Sequence, residues 1–76
     1  MSQRLPVLSC REVVKALATV QFREIPGRGK GSHVFIYRDN PPKGITIPQE
    51  KEVKRGTLRS IIRQADLTVD EFLALL

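Results

Sequence analysis

The stretch HVFIYR, residues 33–38, decides the fold of this chain of 76 residues. β-Branched and aromatic residues dominate the stretch, and such a composition is typical of a β-strand. Successive side chains of a strand point to opposite faces, so we expect Val34 and Ile36 on one face and Phe35 and Tyr37 on the other. The segments on either side indicate what this strand pairs with and what covers it.

Glycine- and proline-rich turns bound the strand on both sides. Residues 26–31 contain three glycines and one proline, and residues 39–44 contain two prolines and one glycine. Both compositions are typical of turns. A short β-permissive segment precedes the first turn at residues 22–25, and another comes after the second turn at residues 45–47, where Pro48 ends it. Three strands joined by short turns predict an antiparallel meander.

A first helix is expected before the sheet, over residues 8–20. Ser9 and Glu12 form a capping box directly before an apolar run. Apolar residues then recur at the three- and four-residue spacing of an amphipathic helix: Cys10, Val13, Val14, Leu17 and Val20. We interpret Cys10 as a small core residue of this helix.

Two more helices are expected after the sheet. Residues 49–55 are predicted to form a polar connector, and Thr57 is the expected N-cap of the second helix. Thr68 and Glu71 form another capping box, which predicts a short last helix. The apolar stripe of the second helix consists of Leu58, Ile61, Ile62 and Ala65.

The predicted order of elements is α-β-β-β-α(-α). A three-stranded sheet is stable alone only when one of its faces is covered. We therefore expect an α+β two-layer sandwich, in which helices cover one face of a three-stranded antiparallel sheet. The chain is short enough that residues 1–76 are expected to form a single domain. This order resembles the double-stranded-RNA-binding fold.

The charge of the chain is positive and unevenly distributed. The formal net charge is +5, and all thirteen Lys and Arg residues lie at or before position 63. The last thirteen residues hold three acids and no base. Such a basic region indicates a polyanionic partner, nucleic acid first, although a solvated basic surface that maintains solubility explains the charge equally well.

No segment predicts a membrane span or an export signal. The longest uninterrupted apolar stretch is residues 34–37, whereas a membrane-spanning helix needs about 20 residues. The N-terminal residues lack an apolar core of signal-peptide length. One cysteine cannot build a disulfide framework. The protein is therefore expected in the cytoplasm, without a membrane partner.

Most kinds of enzyme site have no signature in this sequence. One Cys and one His cannot supply the usual ligands of a zinc site. The glycine-rich turn at residues 26–31 matches neither a dinucleotide-binding fingerprint nor a Walker A loop. We expect neither a metal site nor a cofactor.

His33 is the strongest candidate for catalysis. Imidazole is the side chain whose unperturbed pKa, about 6.5, lies near neutrality. RNA carries its own nucleophile, the 2′-hydroxyl, and a neutral imidazole can remove that proton so that the oxygen attacks the adjacent phosphorus. Nearby cations stabilise the charge that develops, and the candidates are Arg28, Lys30, Lys54 and Arg55. An ordinary exposed or hydrogen-bonded histidine is the structural alternative.

Two further groups of residues are compatible with RNA binding. Lys51, Lys54 and Arg55 precede the second helix, whose N-terminus is suited to phosphate, although a solvated linker has the same composition. Phe35 and Tyr37 lie on a strand near basic residues, but we expect at least one of these rings in the core rather than in a base-stacking surface.

The sequence resembles the HicA family of toxin–antitoxin systems over nearly the whole chain. Residues 8–22, with Leu8-Ser9, Val14, Leu17 and Phe22, resemble the family's first helix and the segment after it. Gly-Ser-His at residues 31–33 matches the family motif at the start of a strand, and Ile-Thr-Ile-Pro at 45–48 resembles its third strand. GTLRSIIRQA at 56–65 matches its second helix closely, and residues 68–76 resemble its acidic-hydrophobic end.

This resemblance implies a double-stranded-RNA-binding-like fold and metal-independent cleavage of mRNA with His33 as the catalytic residue. The predicted RNA contacts are Arg28, Lys30, Ser32, Lys54 and Arg55. The implied protein partner is a HicB-like antitoxin that covers the active surface. We expect a monomer when the protein is free, and a higher-order assembly with the antitoxin is compatible with the resemblance.

Two departures from the family pattern affect the site. Gln21 replaces the glycine that commonly precedes Phe22. After Pro48, many relatives carry a basic residue and a histidine, whereas this chain has Gln49 and Glu50. If that second histidine serves as a general acid in relatives, Lys, Arg or water must do so here.

Two other functions are compatible with the same features. A non-catalytic RNA-binding module would use the same basic surface and would retain RNA without cutting it. A pure interaction protein would bind another protein alone, and the apolar C-terminal residues Leu73, Leu75 and Leu76 would support such an interface. We expect most of these three leucines to pack on the domain's own core instead.

Overall fold

The computed structural model describes residues 5–29 and 31–76, which form a three-stranded antiparallel sheet with helices against one face. The elements are α1 (Cys10–Ala18), β1 (Arg23–Glu24), β2 (His33–Asp39), β3 (Pro42–Pro48), α2 (Arg55–Gln64) and α3 (Val69–Leu73). This order and the α+β class confirm the prediction from the sequence. No helix in the described ranges has the length and apolarity that crossing a membrane requires.

The sheet is the predicted meander, with strand order β1-β2-β3. β1 is only two residues long, and the N–H of Ile25 extends its pairing by donating to the carbonyl of Phe35 at 2.9 Å. The turn between β2 and β3 is shorter than the expected residues 39–44, because Asp39 already pairs with Pro42. Proline is compatible with the first residue of an edge strand, so the turn-like composition of this segment was misleading.

The two capping boxes form as predicted and determine where α1 and α3 begin. In α1 the Ser9 side chain accepts from the N–H of Glu12, and the Glu12 carboxylate accepts from the N–H of Ser9. Thr68 and Glu71 make the same reciprocal pair before α3. Each box satisfies two N–H groups that a helix start leaves without an intrahelical partner.

The start of α2 differs from the prediction. Lys54 is its N-cap residue and provides no side-chain cap, so the assignment of Thr57 as the N-cap is wrong. The helix is already formed three residues earlier, because the N–H of Leu58 donates to the carbonyl of Lys54 at 2.8 Å. Arg55 holds this first turn against the N-terminal segment by donating from Nε to the carbonyl of Leu5 at 3.0 Å.

The predicted polar connector, residues 49–55, contains one residue that is packed into the core. Val53 is buried and forms an isolated antiparallel bridge with Leu8, whose carbonyl accepts from the N–H of Val53 at 2.7 Å. Leu8 therefore belongs to this bridge and not to α1, which explains why the helix begins two residues later than expected. The bridge ties the segment before α1 to the segment before α2.

A single apolar layer lies between the sheet and the helices. α1 packs over β1 and α2 over β3. The sheet contributes its inner face, defined by Val34, Ile36, Ile45 and Ile47, which are all buried. Cys10 belongs to the same core, as predicted, and burial raises the pKa of its thiol. Leu73 and Leu75 pack partly against this core, whereas Leu76 is 57% exposed.

The charged side chain of Arg38, near the end of β2, is buried. Its Nε donates to the carbonyl of Pro41 at 2.9 Å, and a terminal nitrogen donates to the carboxylate of Asp66 at 2.9 Å. The guanidinium carbon lies 4.8 Å from the centroid of the Phe22 ring. Arg38 thus connects the turn after β2 to the end of α2.

Candidate functional site

His33 is the first residue of β2, and its side chain is exposed on the sheet face that the helices leave open. The position results from the alternation along the strand, because Val34 points into the core and His33 must then point away from it. We call this open surface the outer face and define it by His33, Phe35, Tyr37, Gly44 and Thr46. At its edge, His33 pairs with Pro48 of β3.

A shallow depression surrounds the imidazole, which we call the His33 depression. Its lining residues are Arg28, Gly29, His33 and Thr46. Gly29 packs against the backbone of His33 so closely that a side chain at position 29 would not fit. The glycine-rich turn therefore folds back onto β2 and brings Arg28 beside His33, as the sequence predicted for these two residues.

Both aromatic residues of β2 lie on the outer face. Phe35 and Tyr37 are half-buried, so the expectation that at least one of them lies in the core is wrong. Val34 and Ile36 occupy the core face, and a strand then directs both rings to the opposite side. The Phe35 ring lies across Gly44, where a β-carbon would collide with it.

An arginine guanidinium lies over each aromatic ring of the outer face. The Arg28 guanidinium carbon lies 5.1 Å from the Phe35 ring centroid, and that of Arg23 lies 5.9 Å from the Tyr37 ring centroid. Both distances are within the range of cation–π attraction. Sequence reasoning missed Arg23 and undervalued both rings, although the pairing of residues 23 and 37 across a short hairpin is a usable signal.

The positive charge of the outer face is unequal at its two ends. Arg23 forms a two-bond ion pair with Asp39, with distances of 2.8 and 3.3 Å. The hydrogen bond to Asp39, together with its charge, raises the pKa of Arg23 further above its ordinary range. Arg28 has no carboxylate partner among residues 5–29 and 31–76. The uncompensated positive charge therefore lies at the His33 end.

The other predicted RNA contacts are distributed over more than one part of the molecule. Ser32 is exposed beside His33, and its carbonyl accepts from the N–H of Gln49 at 2.6 Å. This bond places the residues after Pro48 next to the His33 end of the sheet. Lys30 lies outside the described residues.

Lys54 and Arg55 lie at the start of α2. Both are exposed, and Arg55 uses one of its donors on the Leu5 carbonyl. Within the described part of the chain, no hydrogen bond or ion pair joins either residue to the His33 depression. The structure thus brings Arg28 and Ser32 to His33 and leaves these two cations at a separate element.

The described residues contain no group of three His, Cys, Asp or Glu side chains arranged as metal ligands would be. Cys10 and His33 lie on different sides of the sheet, since the thiol is in the core and the imidazole is on the outer face. The chemistry that the site itself offers is that of an accessible imidazole beside a guanidinium, which suits proton transfer next to a phosphate.

Comparison with known protein families gives a match over most of the chain. The family model described as the HicA toxin of bacterial toxin–antitoxin systems matches residues 10–67, which run from the start of α1 to just before α3. Neither the curated proteins nor the solved structures give a match to this chain. The matched range contains the Gly-Ser-His motif, the whole sheet and α2, and the chain therefore belongs to the HicA toxin family.

Proposed function

We propose that this protein is the toxin of a type II toxin–antitoxin pair and that it cleaves mRNA without a metal ion, with His33 as the catalytic residue. One observation carries the proposal: the exposed imidazole of His33 and the guanidinium of Arg28 line the same depression. A base and a cation at one phosphate are what cleavage by the RNA's own 2′-hydroxyl requires.

The reaction begins when neutral His33 takes the proton of a 2′-hydroxyl. The 2′-oxygen attacks the adjacent phosphorus, and the bond from phosphorus to the 5′-oxygen breaks. The products are a strand that ends in a 2′,3′-cyclic phosphate and a strand that begins with a 5′-hydroxyl. Arg28 stabilises the negative charge that builds up on the phosphate oxygens during the attack.

The departing 5′-oxygen needs a proton, and if relatives supply it from a histidine after the matching proline, the donor must differ here. Gln49 and Glu50 come after Pro48 here, and the bond between Gln49 and Ser32 holds this segment beside His33. Since neither position carries a histidine, we assign this proton to water or to a basic side chain at the site.

The remaining predicted contacts complete the proposal. Ser32 binds the RNA beside His33, Lys54 and Arg55 bind it at the start of α2, and Lys30 is a further RNA contact. The protein partner is a HicB-like antitoxin that inhibits cleavage by covering the outer face, and both proteins act in the cytoplasm. The exposure of His33 supports this mode of inhibition, because a protein can cover the imidazole without the domain unfolding.

The test is cleavage of end-labelled RNA by the purified protein in the presence of a chelator. We expect the native chain to yield fragments with 2′,3′-cyclic phosphate ends, and His33→Ala to lose roughly 10²- to 10⁴-fold of the rate. The control is Leu76→Ala, which changes an exposed residue after α3. Equal cleavage by His33→Ala and the control would refute the role of His33.

A non-catalytic RNA-binding module is the second candidate, and the exposed arginines and half-buried rings of the outer face favour it equally. The same assay separates the two functions. Salt-dependent retention of intact RNA, without fragments, would establish binding alone.

A further inference from the structure

We infer that the outer face is a binding track for single-stranded RNA, on which one base stacks at Phe35 and Arg28 and the next base stacks at Tyr37 and Arg23. This inference deepens the proposed function, on which it rests for the position of the cut, because it names the structural class of RNA that reaches His33. Binding along the track does not itself depend on cleavage.

The surface that carries the inference is continuous. Ile25, Arg28, Phe35 and Tyr37 line one shallow depression, and the neighbouring His33 depression shares Arg28 with it. Because the two depressions meet at Arg28, the track runs from Tyr37 past Phe35 to the imidazole. Phe35 and Tyr37 are two positions apart on β2, so both rings face the same strand of RNA.

The side chains on this surface are those that hold unpaired bases. Bases stack on aromatic rings and on arginine guanidinium planes, and neither kind of stacking requires a particular base. Gly44 supports the Phe35 ring from beneath, since no side chain there competes for the space. The rings are half-buried rather than buried, so part of each is available to a ligand.

The charges give the track a direction. Arg28 is without a carboxylate partner in the described ranges and attracts phosphate at the His33 end. Asp39 neutralises Arg23 at the opposite end, where an exposed carboxylate repels further phosphates. The track is therefore about two bases long and delivers the phosphate at its basic end to His33.

Duplex RNA is not expected to bind the outer face in this way. In a duplex the bases are stacked on each other, and the deep narrow major groove of the A-form keeps protein side chains away from them. An open sheet face offers rings that only an unstacked base can reach. We therefore expect single-stranded segments to be bound and cut, and the same sequences to be protected when they are paired.

The chain itself provides the probe, because it has one tyrosine and no tryptophan. Its intrinsic fluorescence therefore reports on Tyr37 alone. The experiment titrates His33→Ala, which leaves the RNA uncut, with a short single-stranded oligonucleotide, and N-acetyltyrosinamide corrects for light absorbed by the bases. We expect saturable quenching, and none with the same oligonucleotide annealed to its complement.

Two variants test the rings in the same His33→Ala background. Phe35→Leu and Tyr37→Leu retain an apolar side chain on the strand, and each should weaken binding of the single strand, measured by anisotropy, roughly 5- to 100-fold. Leu76→Ala serves as the matched control, since it shortens an exposed apolar side chain away from the track. Thermal unfolding of each variant verifies that the fold is retained.

Failure of this inference can be told apart from failure of the proposed function. If the native chain cleaves RNA but Tyr37 is not quenched and both leucine variants bind normally, the track is refuted and cleavage stands. If quenching and the variant effects occur without any cleavage, the track stands and the nuclease is refuted. Should the leucine variants lose affinity for an antitoxin protein only, with RNA binding unchanged, the outer face is a protein interface and the track is refuted.

Discussion

Gly29 lies so close to the backbone of His33 that a β-carbon at position 29 would collide with the His33 carbonyl oxygen. A β-carbon at position 29 would also lie 3.1 Å from the carbonyl carbon of His33 and 3.2 Å from the amide nitrogen of Phe35. These neighbours are backbone atoms, which cannot rotate away as the end of a side chain can. The close approach therefore fixes the distance between the glycine-rich turn and the start of β2.

Gly29→Ala is expected to displace the turn and with it Arg28. We predict a loss of stability of about 1–3 kcal/mol from overpacking, measured by urea denaturation, and a fall in RNA cleavage that exceeds the unfolded fraction. Unchanged cleavage in Gly29→Ala would mean that the turn does not position Arg28.

Gly56→Ala is the matched glycine substitution, and the opposite sign is expected for its effect on stability. Gly56 lies in the first turn of α2, and nothing lies within 4 Å of the position that a β-carbon would occupy. Alanine is a better helix former than glycine, so stability should rise by about 0.5 kcal/mol. A decrease in the urea midpoint of this variant would contradict a helix that already includes residue 56.

Two substitutions of Arg28 should separate the effect of its charge on cleavage from the effect of its planar shape. Arg28→Ala is expected to lower the cleavage rate roughly 10- to 100-fold, because the guanidinium no longer stabilises the charge on the phosphate. Arg28→Lys keeps the charge but loses the planar group that lies over Phe35, so only part of the activity should return.

The control for Arg28 is Arg63→Ala, which removes an exposed arginine from the last turn of α2. Both variants reduce the net charge equally, so any general loss of attraction to RNA is common to them. If the two variants cleave at the same rate, the role assigned to Arg28 is wrong.

Arg38 and Asp66 form an ion pair whose two members should contribute unequally to stability. The side chain of Arg38 is 11% exposed, whereas that of Asp66 is 67% exposed. Arg38→Met leaves the carbonyls of Pro41 and Ala65 without their donor, at a cost of about 1–3 kcal/mol.

Asp66→Asn should cost less than about 1 kcal/mol, because an ion pair to an exposed carboxylate contributes little and asparagine tolerates the positive φ of 63° at this position. Urea denaturation of both variants measures the difference. Equal losses would show that the ion pair, and not the buried hydrogen bonds to backbone, is what Arg38 contributes.

Cys10 should react slowly with thiol reagents in the folded protein. Burial raises the pKa of its thiol above the ordinary value of 9.0, so little thiolate is present at neutral pH. Alkylation by iodoacetamide at pH 8 should therefore be much slower in the native protein than in urea. Equal rates would place the thiol at the surface.

The same shift in the pKa of Cys10 predicts a pH dependence of stability. The folded state holds the thiol proton more tightly than the unfolded state, so this contribution is complete below pH 9.0 and is lost as the pH rises through the raised pKa. Comparison with Cys10→Ala separates the contribution of the thiol to stability from that of other groups that titrate in alkali. The difference in unfolding free energy between the two proteins should shrink above that pH.

Local signals explain why most of the fold could be predicted from the sequence. The capping boxes at Ser9 and Thr68 involve residues three positions apart, so the sequence pattern itself names the two residues that are in contact. The alternation from residue 33 to 38 likewise reflects the geometry of a single strand. Where the signal was weaker, as at Lys54, the helix start depended on a distant contact between Arg55 and Leu5.

The outer face was harder to predict because both sides of β2 are apolar. Alternation indicated that Phe35 and Tyr37 share a face, but a sequence alone does not say which of two apolar faces the helices cover. The burial of Arg38 was also invisible, since its partners Ala65 and Asp66 lie 27 and 28 residues away. The proximity of His33 and Arg28 was predictable because only four residues separate them in the sequence.

The interleaving of buried and open positions on β2 has an evolutionary consequence. Residues 34, 36 and 38 are buried in the core, whereas residues 33, 35 and 37 lie on the outer face. Substitutions at positions 35 and 37 are therefore expected to leave the core intact, whereas position 33 is held by its proposed role in catalysis. If the outer face binds RNA and the antitoxin as proposed, related toxins could change what they recognise at positions 35 and 37 while the core stays constant.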